Sequence, residues 1–287
     1  MWNQLAAHIS RVTGTPFEVS DRRSVGGGCI NQGYRVSDGK TTYFVKLNHA
    51  SELAMFEAEL AGLQQMQNTG TIRVPTPIDC GVGGDSAYII LEWLELGRGN
   101  DRAWESMGQQ LAAMHQVNVA EKFGWERNNT IGSTPQSNTW TTDWTTFWVE
   151  QRLGYQLRLA QRRGGHFPRQ NQLLAAVPQL LARHTPKPSL VHGDLWSGNV
   201  AVTEAGEPVL FDPATYVGDR EVDLAMTELF GGFPASFYRG YSQVLPLDDG
   251  YQQRKTLYNL YHILNHFNLF GGNYEAQANR MIIQLLR

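Results

Sequence analysis

The sequence predicts an α+β protein of two lobes: a small β-rich N-terminal lobe over residues 1–96 and a larger, mostly helical C-terminal lobe over residues 97–287. Three observations predict this fold class. Glycine-rich residues 25–34 are followed by two short strands with a turn between them, and not by a helix. An amphipathic helix and a strongly apolar strand come next. Beyond them, most apolar residues recur at helical spacing, and one polar loop, residues 190–200, lies between short strands.

The composition is ordinary for a water-soluble globular protein. The chain has 287 residues, 41% of them hydrophobic and 18% charged, which is enough to bury a large core. A net charge of -3 predicts no nucleic-acid partner, and no apolar run is long enough to predict a membrane span. Cys29 and Cys80 stand far apart without a partner motif, which fits a reducing compartment. The first residues lack a signal-peptide pattern, so we expect a cytoplasmic protein.

The polar loop and the strand after it carry acidic and amide side chains in a fixed order. Asp194 precedes Asn199 by five positions, and Asp212 follows the apolar run 208–211. Phosphoryl transfer in kinases needs a carboxylate to accept the hydroxyl proton, and an amide and a second carboxylate to hold Mg²⁺ against the phosphates of ATP. A polar loop that holds two acids by chance would not explain this order. We therefore predict Asp194 as the base and Asn199 and Asp212 as Mg²⁺ ligands.

The glycine-rich stretch predicts a phosphate-binding loop, because backbone N–H groups at glycines can approach phosphates closely. It comprises Gly26, Gly27, Gly28 and Cys29. Glycine runs also make plain turns, so the prediction depends on the residues after the glycines. A dinucleotide-binding fingerprint would open a helix here, whereas residues 34–47 read as strand, turn and strand. This arrangement puts Lys46 on the third strand, where a kinase lysine holds the α- and β-phosphates; a solvent-facing strand lysine is the alternative.

The next helix, predicted over residues 51–67, would carry the carboxylate that pairs with Lys46. Its apolar stripe consists of Leu53, Phe56, Leu60 and Leu63. Glu59 lies beside this stripe and Glu57 points more to the side, so we choose Glu59. The apolar strand after it, residues 87–94, predicts a hinge that bonds the adenine edge. The hinge residues are Glu92, Trp93 and Leu94.

The segment after Asp212 is short. Only ten residues separate Asp212 from Asp223, which leaves no room for the long phosphorylatable activation segment of a protein kinase. The substrate should therefore be small. We interpret Asp223 as structural, either capping its helix or bracing the backbone of the catalytic loop.

Three further stretches have packing interpretations. Aromatic residues 140–148 predict core packing under the catalytic loop and not substrate contact. The aromatic-rich residues 258–274 can wall a pocket or simply pack the lobe. A solvated helix face is predicted for the arginines of residues 151–185, among them Arg152, Arg158, Arg162 and Arg163.

With these residues in place, the chain resembles the fructosamine kinase (ketosamine-3-kinase) family, within the aminoglycoside- and choline-kinase-like fold that is related to protein kinases. The resemblance covers almost the full length. Its most specific part is Trp196 within residues 192–199, because sister small-molecule kinases usually carry other residues there. It extends over residues 27–30, 44–46, 55–59, 138–147, 211–214, 230–234 and 264–266.

The resemblance implies ATP-dependent phosphorylation of the 3-hydroxyl of a ketosamine, the Amadori product of a sugar and an amine, as a repair step for glycated proteins. It also implies the roles given above to the base, the metal ligands and the lysine pair. Small ketosamines and exposed glycated protein lysines are the expected substrates. The indole of Trp196 would offer a flat face to the sugar and attract the protonated amine. The alternative is that Trp196 packs inward and braces its loop.

Two other functions stay open at this point. The first is a kinase for another small alcohol, such as an aminoglycoside, choline or methylthioribose, and Trp196 counts against it. The second is a non-catalytic ATP-binding module, and the complete set of acids counts against that.

Cys29 leads to a separate expectation. A thiol beside Gly28 and close to Lys46 should be exposed and inclined to form the thiolate. Oxidation or an intermolecular disulfide at Cys29 would then block the glycine loop, which predicts a redox-dependent dimer. The alternative is that cysteine is merely small enough for the turn.

Overall fold

The computed structural model describes residues 1–26 and 30–287. Its N-terminal part is a five-stranded antiparallel sheet with the strand order β1-β2-β3-β5-β4. The strands are β1 (Asp21–Val25), β2 (Gln32–Ser37), β3 (Thr42–His49), β4 (Pro77–Gly83) and β5 (Ser86–Glu92). Two helices accompany them, α1 (Trp2–Thr13) and α2 (Leu53–Asn68), with a 3₁₀ turn (Ala50–Glu52) before α2. The glycine-rich stretch connects β1 to β2, which form an antiparallel pair.

Strand β5 is buried on both faces of the sheet. Successive strand residues point to opposite faces, so Ile89 and Leu91 join one hydrophobic cluster and Tyr88 and Ile90 join another. The first cluster also contains residues of α2, and the second contains α1. This two-sided burial explains why residues 87–91 form a continuous apolar run and do not alternate with polar residues.

Strand β4 is absent from the sequence-based prediction. The strand begins at Pro77, contains Gly81 and ends at Gly83. Its register with β5 shifts between Pro77 and Asp79. Proline and glycine are tolerated here because β4 is an edge strand of the sheet.

The remaining chain is mostly helical, and with the sheet it confirms the predicted α+β fold class. The helices are α3 (Asp101–Gln116), α4 (Trp144–Phe147), α5 (Gly154–Arg162), α6 (Gln170–Leu180), α7 (Glu221–Thr227), α8 (Ala235–Val244), α9 (Tyr251–Phe270) and α10 (Tyr274–Leu285), with a π-helical turn (Trp148–Leu153) between α4 and α5. Three antiparallel ribbons pair β6 (Asn129–Ile131) with β7 (Thr134–Gln136), β8 (Ser189–Val191) with β11 (Tyr216–Gly218), and β9 (Val200–Val202) with β10 (Pro208–Leu210). No helix in the described ranges is long and apolar enough to cross a membrane.

The segment after β5 is attached to the helical part of the chain. Gly97 donates its N–H to the carbonyl of Val202 at 2.8 Å, and Glu204 donates to the carbonyl of Glu95 at 2.9 Å. The sheet and the polar loop also share one hydrophobic cluster, which contains Leu91 and Leu195. The lobe boundary near Leu96 stays a prediction.

Arg152 is fully buried, so the prediction of a solvated position is wrong for this residue. Its guanidinium lies 4.1 Å from the ring centroid of Tyr216 and 4.5 Å from that of Phe147. It also donates to the Ser137 carbonyl and to Asn138 Oδ1, each at 2.7 Å. Aromatic rings and two oxygen acceptors thus surround this cation, although its buried Nε has no hydrogen-bond partner among the described residues. The other three arginines named above are exposed as expected.

Candidate active site

The polar loop leaves β8 and is held in place by His192. This imidazole is fully buried; its Nε2 lies 3.0 Å from the Phe211 carbonyl oxygen, and its Nδ1 accepts the N–H of Asp194 at 3.2 Å. Because a carbonyl can only accept, the ring proton is assigned to Nε2. Burial lowers the pKa of His192 and keeps the ring neutral, as this pair of bonds requires. His192 therefore ties Asp194 to the segment that leads to the second acid, a role that the sequence analysis did not assign.

Asp223 holds the same loop through the loop's backbone N–H groups. Its two carboxylate oxygens accept the backbone N–H of His192 at 2.7 Å and of Gly193 at 2.8 Å, and one of them also accepts His115 Nε2 at 3.0 Å. Burial disfavours the carboxylate charge, yet the bond from His115 and those from the loop hold the pKa of Asp223 below its ordinary value. Glycine is required at position 193, where φ is +82° and a Cβ would lie 2.2 Å from the Ala214 oxygen. These contacts agree with the structural interpretation of Asp223.

Asp194, Asn199 and Asp212 converge at the end of this loop. The amide Nδ2 of Asn199 donates to the Asp194 backbone oxygen at 2.8 Å and to its carboxylate at 3.1 Å. Phe211 donates its N–H to the Asn199 carbonyl at 3.1 Å, which brings Asp212 alongside. Among the described non-glycine residues, Asp212 alone has a positive φ, 58°, a strained conformation that recurs at functional sites. Burial raises the pKa of Asp194 to about 7, and the charges of Asp212 and Asp223 add to this rise.

The oxygen atoms of this group fit a magnesium ion. Since Asn199 uses Nδ2 for Asp194, its Oδ1 has no donor among the described residues. One oxygen of Asp212 contacts Lys46, and the other is without a donor within the same part of the chain. Mg²⁺ prefers oxygen ligands and usually takes only one or two from protein, with phosphates and water completing its shell. Asn199 and Asp212 can supply those two ligands.

Lys46 lies between two carboxylates. Its ammonium donates to Glu59 Oε1 at 2.6 Å and also contacts Asp212, although the lysine is only 5% exposed. Burial disfavours its charge, but Asp212 and Glu59 outweigh burial and raise the pKa of Lys46, so it stays protonated. The structure places Glu59, and not the exposed Glu57, against this lysine.

One cavity of about 770 Å³ joins these groups. Every described residue that the sequence analysis proposed for the site lines it: Gly26, Lys46, Glu59, Glu92, Trp93, Leu94, Asp194, Trp196, Asn199 and Asp212. Gly27, Gly28 and Cys29 lie outside the described residues.

The three residues predicted as the hinge differ in which of their groups are free for a ligand. Glu92 donates its N–H to the Thr76 carbonyl at 2.9 Å, so this group is already used. Its carboxylate accepts Arg73 Nη2 at 2.7 Å and two donors of Thr76 at 3.0 Å. Glu92 thus fixes the end of β5, and Trp93 and Leu94 come after it along the wall of the cavity.

The far side of the cavity is built from the β6–β7 hairpin and α9, which the sequence analysis did not bring together. Asn129 Nδ2 donates to the Thr215 carbonyl at 2.8 Å, and Gln136 Nε2 donates to the Ala214 carbonyl at 3.1 Å, so the hairpin is anchored just beyond Asp212. The wall it forms with α9, the start of α10 and a neighbouring loop contains Thr130, Ile131, Phe230, His262, His266, Leu269, Phe270 and Tyr274. The aromatic-rich residues 258–274 therefore have both predicted roles. Some of them line the cavity, and Tyr258 and Tyr261 pack in the hydrophobic core.

Trp196 is 38% exposed and lines the cavity beside Asp194. Part of the indole lies against its own loop, since a Cβ at Gly198 would come within 2.3 Å of Trp196 Cζ2. The side chain thus contacts the loop and also presents indole surface to the cavity, and both interpretations of Trp196 retain support.

The sheet, the buried lysine–glutamate pair and the Asp194–Asn199–Asp212 group together define a protein-kinase-like phosphotransferase fold. A solved structure of aminoglycoside phosphotransferase APH(4)-Ia, in complex with AMP-PNP and hygromycin B, has the same fold with a TM-score of 0.64 at 16% identity, covering 99% of this chain and 98% of that one.

The chain belongs to the fructosamine kinase family, whose family model matches residues 1–287. It is 59% identical over 286 residues to a protein of Synechocystis sp. named "Probable ketoamine kinase", covering 100% of this chain and 97% of the relative. It is 44% identical over 283 residues to the chloroplastic protein-ribulosamine 3-kinase of Arabidopsis thaliana, covering 96% and 85%. A candidate fructosamine-3-kinase from Haemophilus somnus superimposes with a TM-score of 0.94 at 30% identity, covering 100% and 98%. The resemblance given above is therefore confirmed.

Proposed function

We propose that this protein is an ATP-dependent kinase that phosphorylates the 3-hydroxyl of ketosamines. The observation that carries the proposal is the single cavity that joins the Lys46–Glu59 pair to Asp194 and then to an aromatic wall. Family membership supports it, as does the relative named protein-ribulosamine 3-kinase.

In the proposed reaction, Asp194 accepts the proton of the attacking hydroxyl. Asn199 fixes its carboxylate, His192 accepts its backbone N–H, and Asp223 holds the backbone of the two residues before it. Lys46, held by Glu59, neutralises the α- and β-phosphates of ATP. Asn199 and Asp212 would hold Mg²⁺, which would neutralise part of the charge of the phosphates. We propose that the backbone of Gly26, Gly27, Gly28 and Cys29 covers the phosphates, and that Trp93 and Leu94 read the adenine.

The charges of the far wall favour a ketosamine over an aminoglycoside. The wall residues named above include no acidic side chain, so these residues offer no carboxylate to an ammonium group. An aminoglycoside carries several ammonium groups and would find few counter-charges, whereas a ketosamine carries one. Choline would use the aromatic wall but has no polyol for its polar groups. We further propose that glycated lysines on proteins are accepted where they are exposed.

An ADP-release panel with the purified protein tests this function against the two alternatives. We expect Mg²⁺-dependent ADP release with ribulosamines or fructosamines and none with choline or aminoglycosides, with the 3-phosphate identified by NMR. Turnover with an aminoglycoside or choline, and none with any ketosamine, would show that the substrate class is wrong. ATP binding without turnover on any acceptor would indicate a binding module.

Glu59→Gln should lower kcat/KM for ATP by about tenfold or more, as expected for a hydrogen bond between charged groups. The neutral amide can still accept a hydrogen bond from Lys46 but no longer attracts it by charge, so the ammonium can shift toward Asp212. Glu57→Gln is the matched control, since Glu57 stands two positions away on the same helix and is exposed. Steady-state kinetics with varied ATP should separate the two variants, and equal effects would contradict the assigned pair.

Trp196→Leu should raise KM for a ketosamine by roughly 2- to 10-fold, the range of an aromatic face packed against the sugar, with KM for ATP unchanged. Gly198→Ala offers a second route to the same result, because its new methyl group must displace the indole. If both variants instead lose thermal stability and kcat on every substrate, Trp196 braces the loop and does not contact the substrate.

We also propose that Cys29 is the redox-sensitive residue and the basis of a redox-dependent dimer. The other cysteine, Cys80, is a suitable control, because burial above all, with Asp79 nearby, raises the pKa of its thiol to about 11 and makes it a poor nucleophile. Peroxide should inhibit the wild type and Cys80→Ala reversibly, with dithiothreitol restoring activity, and should spare Cys29→Ala. Equal inhibition of all three proteins would exclude the switch, and non-reducing electrophoresis would report the dimer.

A cytoplasmic location is proposed on the cysteine usage and composition alone. The plant relatives are named chloroplastic, so family membership does not decide the compartment. Fractionation of cells that express the tagged protein would decide it.

A further inference from the structure

Helix α9 presents two histidines to the far wall of the cavity, one turn apart. His262 is 4% exposed and His266 is partly exposed, and both line the cavity. His266 Nδ1 lies 2.8 Å from the backbone oxygen of His262. Since that oxygen can only accept, Nδ1 carries the ring proton of the neutral imidazole, and Nε2 of His266 is left as a lone-pair acceptor. No group within residues 1–26 and 30–287 donates to this nitrogen.

The surroundings of His266 are aromatic. Ring centroids lie 4.8 Å away for Phe230, 5.1 Å for Tyr274 and 5.6 Å for Phe270, and all three residues also line the cavity. Burial lowers the pKa of His266 despite its bond to the His262 carbonyl, so the ring stays neutral at physiological pH. The wall thus combines a nitrogen acceptor that has no donor among the described residues with three aromatic rings packed around the imidazole.

We propose that His266 Nε2 accepts a hydrogen bond from the protonated secondary amine of the ketosamine, and that Phe230, Phe270 and Tyr274 stabilise the charge of that amine. The assignment rests on the proposed function and divides the cavity in two: Asp194 receives the acceptor hydroxyl, and the wall of α9 receives the amine.

The chemistry of the wall favours an amine over a hydroxyl at this position. A hydroxyl could donate to Nε2 equally well, but it would gain little from three aromatic rings. An ammonium group gains from both, because ring faces carry negative electrostatic potential and a charged donor strengthens the hydrogen bond. Such a subsite also explains how a kinase could prefer a ketosamine to the free ketose, which has the same polyol and no amine.

The test compares two replacements of His266. His266→Phe keeps an aromatic ring and removes the acceptor, whereas His266→Gln keeps an acceptor. The readouts are KM for a fructosamine, Ki of D-fructose as a competitive inhibitor and the melting temperature. We expect His266→Phe to raise KM for the fructosamine roughly 10- to 100-fold, as for a hydrogen bond to a charged group. D-fructose Ki and melting temperature should be unchanged, and His266→Gln should recover part of the loss.

Three results would overturn the assignment while leaving the proposed function intact. The first is an unchanged fructosamine KM in His266→Phe. The second is a parallel rise of KM and Ki, which indicates a structural role. The third is loss of the preference for the amine in Trp196→Leu but not in His266→Phe, which would place the amine on the indole. A wild-type protein without activity on any ketosamine overturns the proposed function and this assignment together.

Discussion

Replacing Asp194 with Asn is expected to lower kcat by roughly 10²–10⁴-fold, the usual contribution of a positioned general base. Asparagine has the same shape and can still accept the bond from Asn199 Nδ2, so the loop should keep its structure. What it loses is the capacity to take the hydroxyl proton. The measurement is steady-state kinetics with a ketosamine, together with Mg·ATP affinity by calorimetry, which should stay at the wild-type value.

The two readouts for Asp194→Asn separate chemistry from binding. Near wild-type kcat would mean that another group accepts the proton, and the assignment of the base would be wrong. A large loss of ATP affinity with lowered melting temperature would mean that Asp194 mainly organises the loop.

Replacing Asp223 with Ala is expected to lower both the free energy of unfolding and kcat. Asp223 is 1% exposed, and the substitution leaves the N–H groups of His192 and Gly193 and the nitrogen of His115 without their acceptor. Each buried unsatisfied group costs about 1–3 kcal/mol, so the total loss should be about 3 kcal/mol or more. A shift of the catalytic loop by an ångström would lower kcat by about 10²-fold.

Chemical denaturation and kinetics of the Asp223 variant check this expectation. Asp249→Ala is a suitable control, because Asp249 is exposed and makes no hydrogen bond or ion pair within the described ranges. The outcome that contradicts the bracing role is an Asp223→Ala protein with wild-type stability and kcat. A stability loss with unchanged kcat would limit the role of Asp223 to folding.

Much of the group that we propose for the nucleotide could be assembled from the sequence, because its residues follow one another at short distances along the chain. The five-residue spacing from Asp194 to Asn199 and the strand before Asp212 indicate the catalytic loop by themselves. The helical stripe of α2 places Glu59 nearer the core than Glu57, and the structure pairs Glu59 with Lys46. Local periodicity suffices in these cases because side-chain direction is set by the backbone conformation of a single element.

The residues that we propose for the acceptor substrate are brought together by the tertiary structure alone. Its wall joins β6 and β7 to α9, elements more than a hundred residues apart, and no local pattern reports that they meet. Arg152 shows the same limit of local sequence patterns. Its position suggested a solvated helix face, whereas in the structure it packs against the rings of Tyr216 and Phe147.

By itself, the sequence determined the fold class, the family and the candidate groups for phosphate and proton transfer. Only the tertiary structure decided which nitrogen of His266 carries its proton, which N–H groups Asp223 accepts and which rings line the far wall of the cavity. The reason is physical: hydrogen-bond partners, burial and aromatic contacts depend on the packing of distant elements, whereas the spacing of residues within one loop or helix does not.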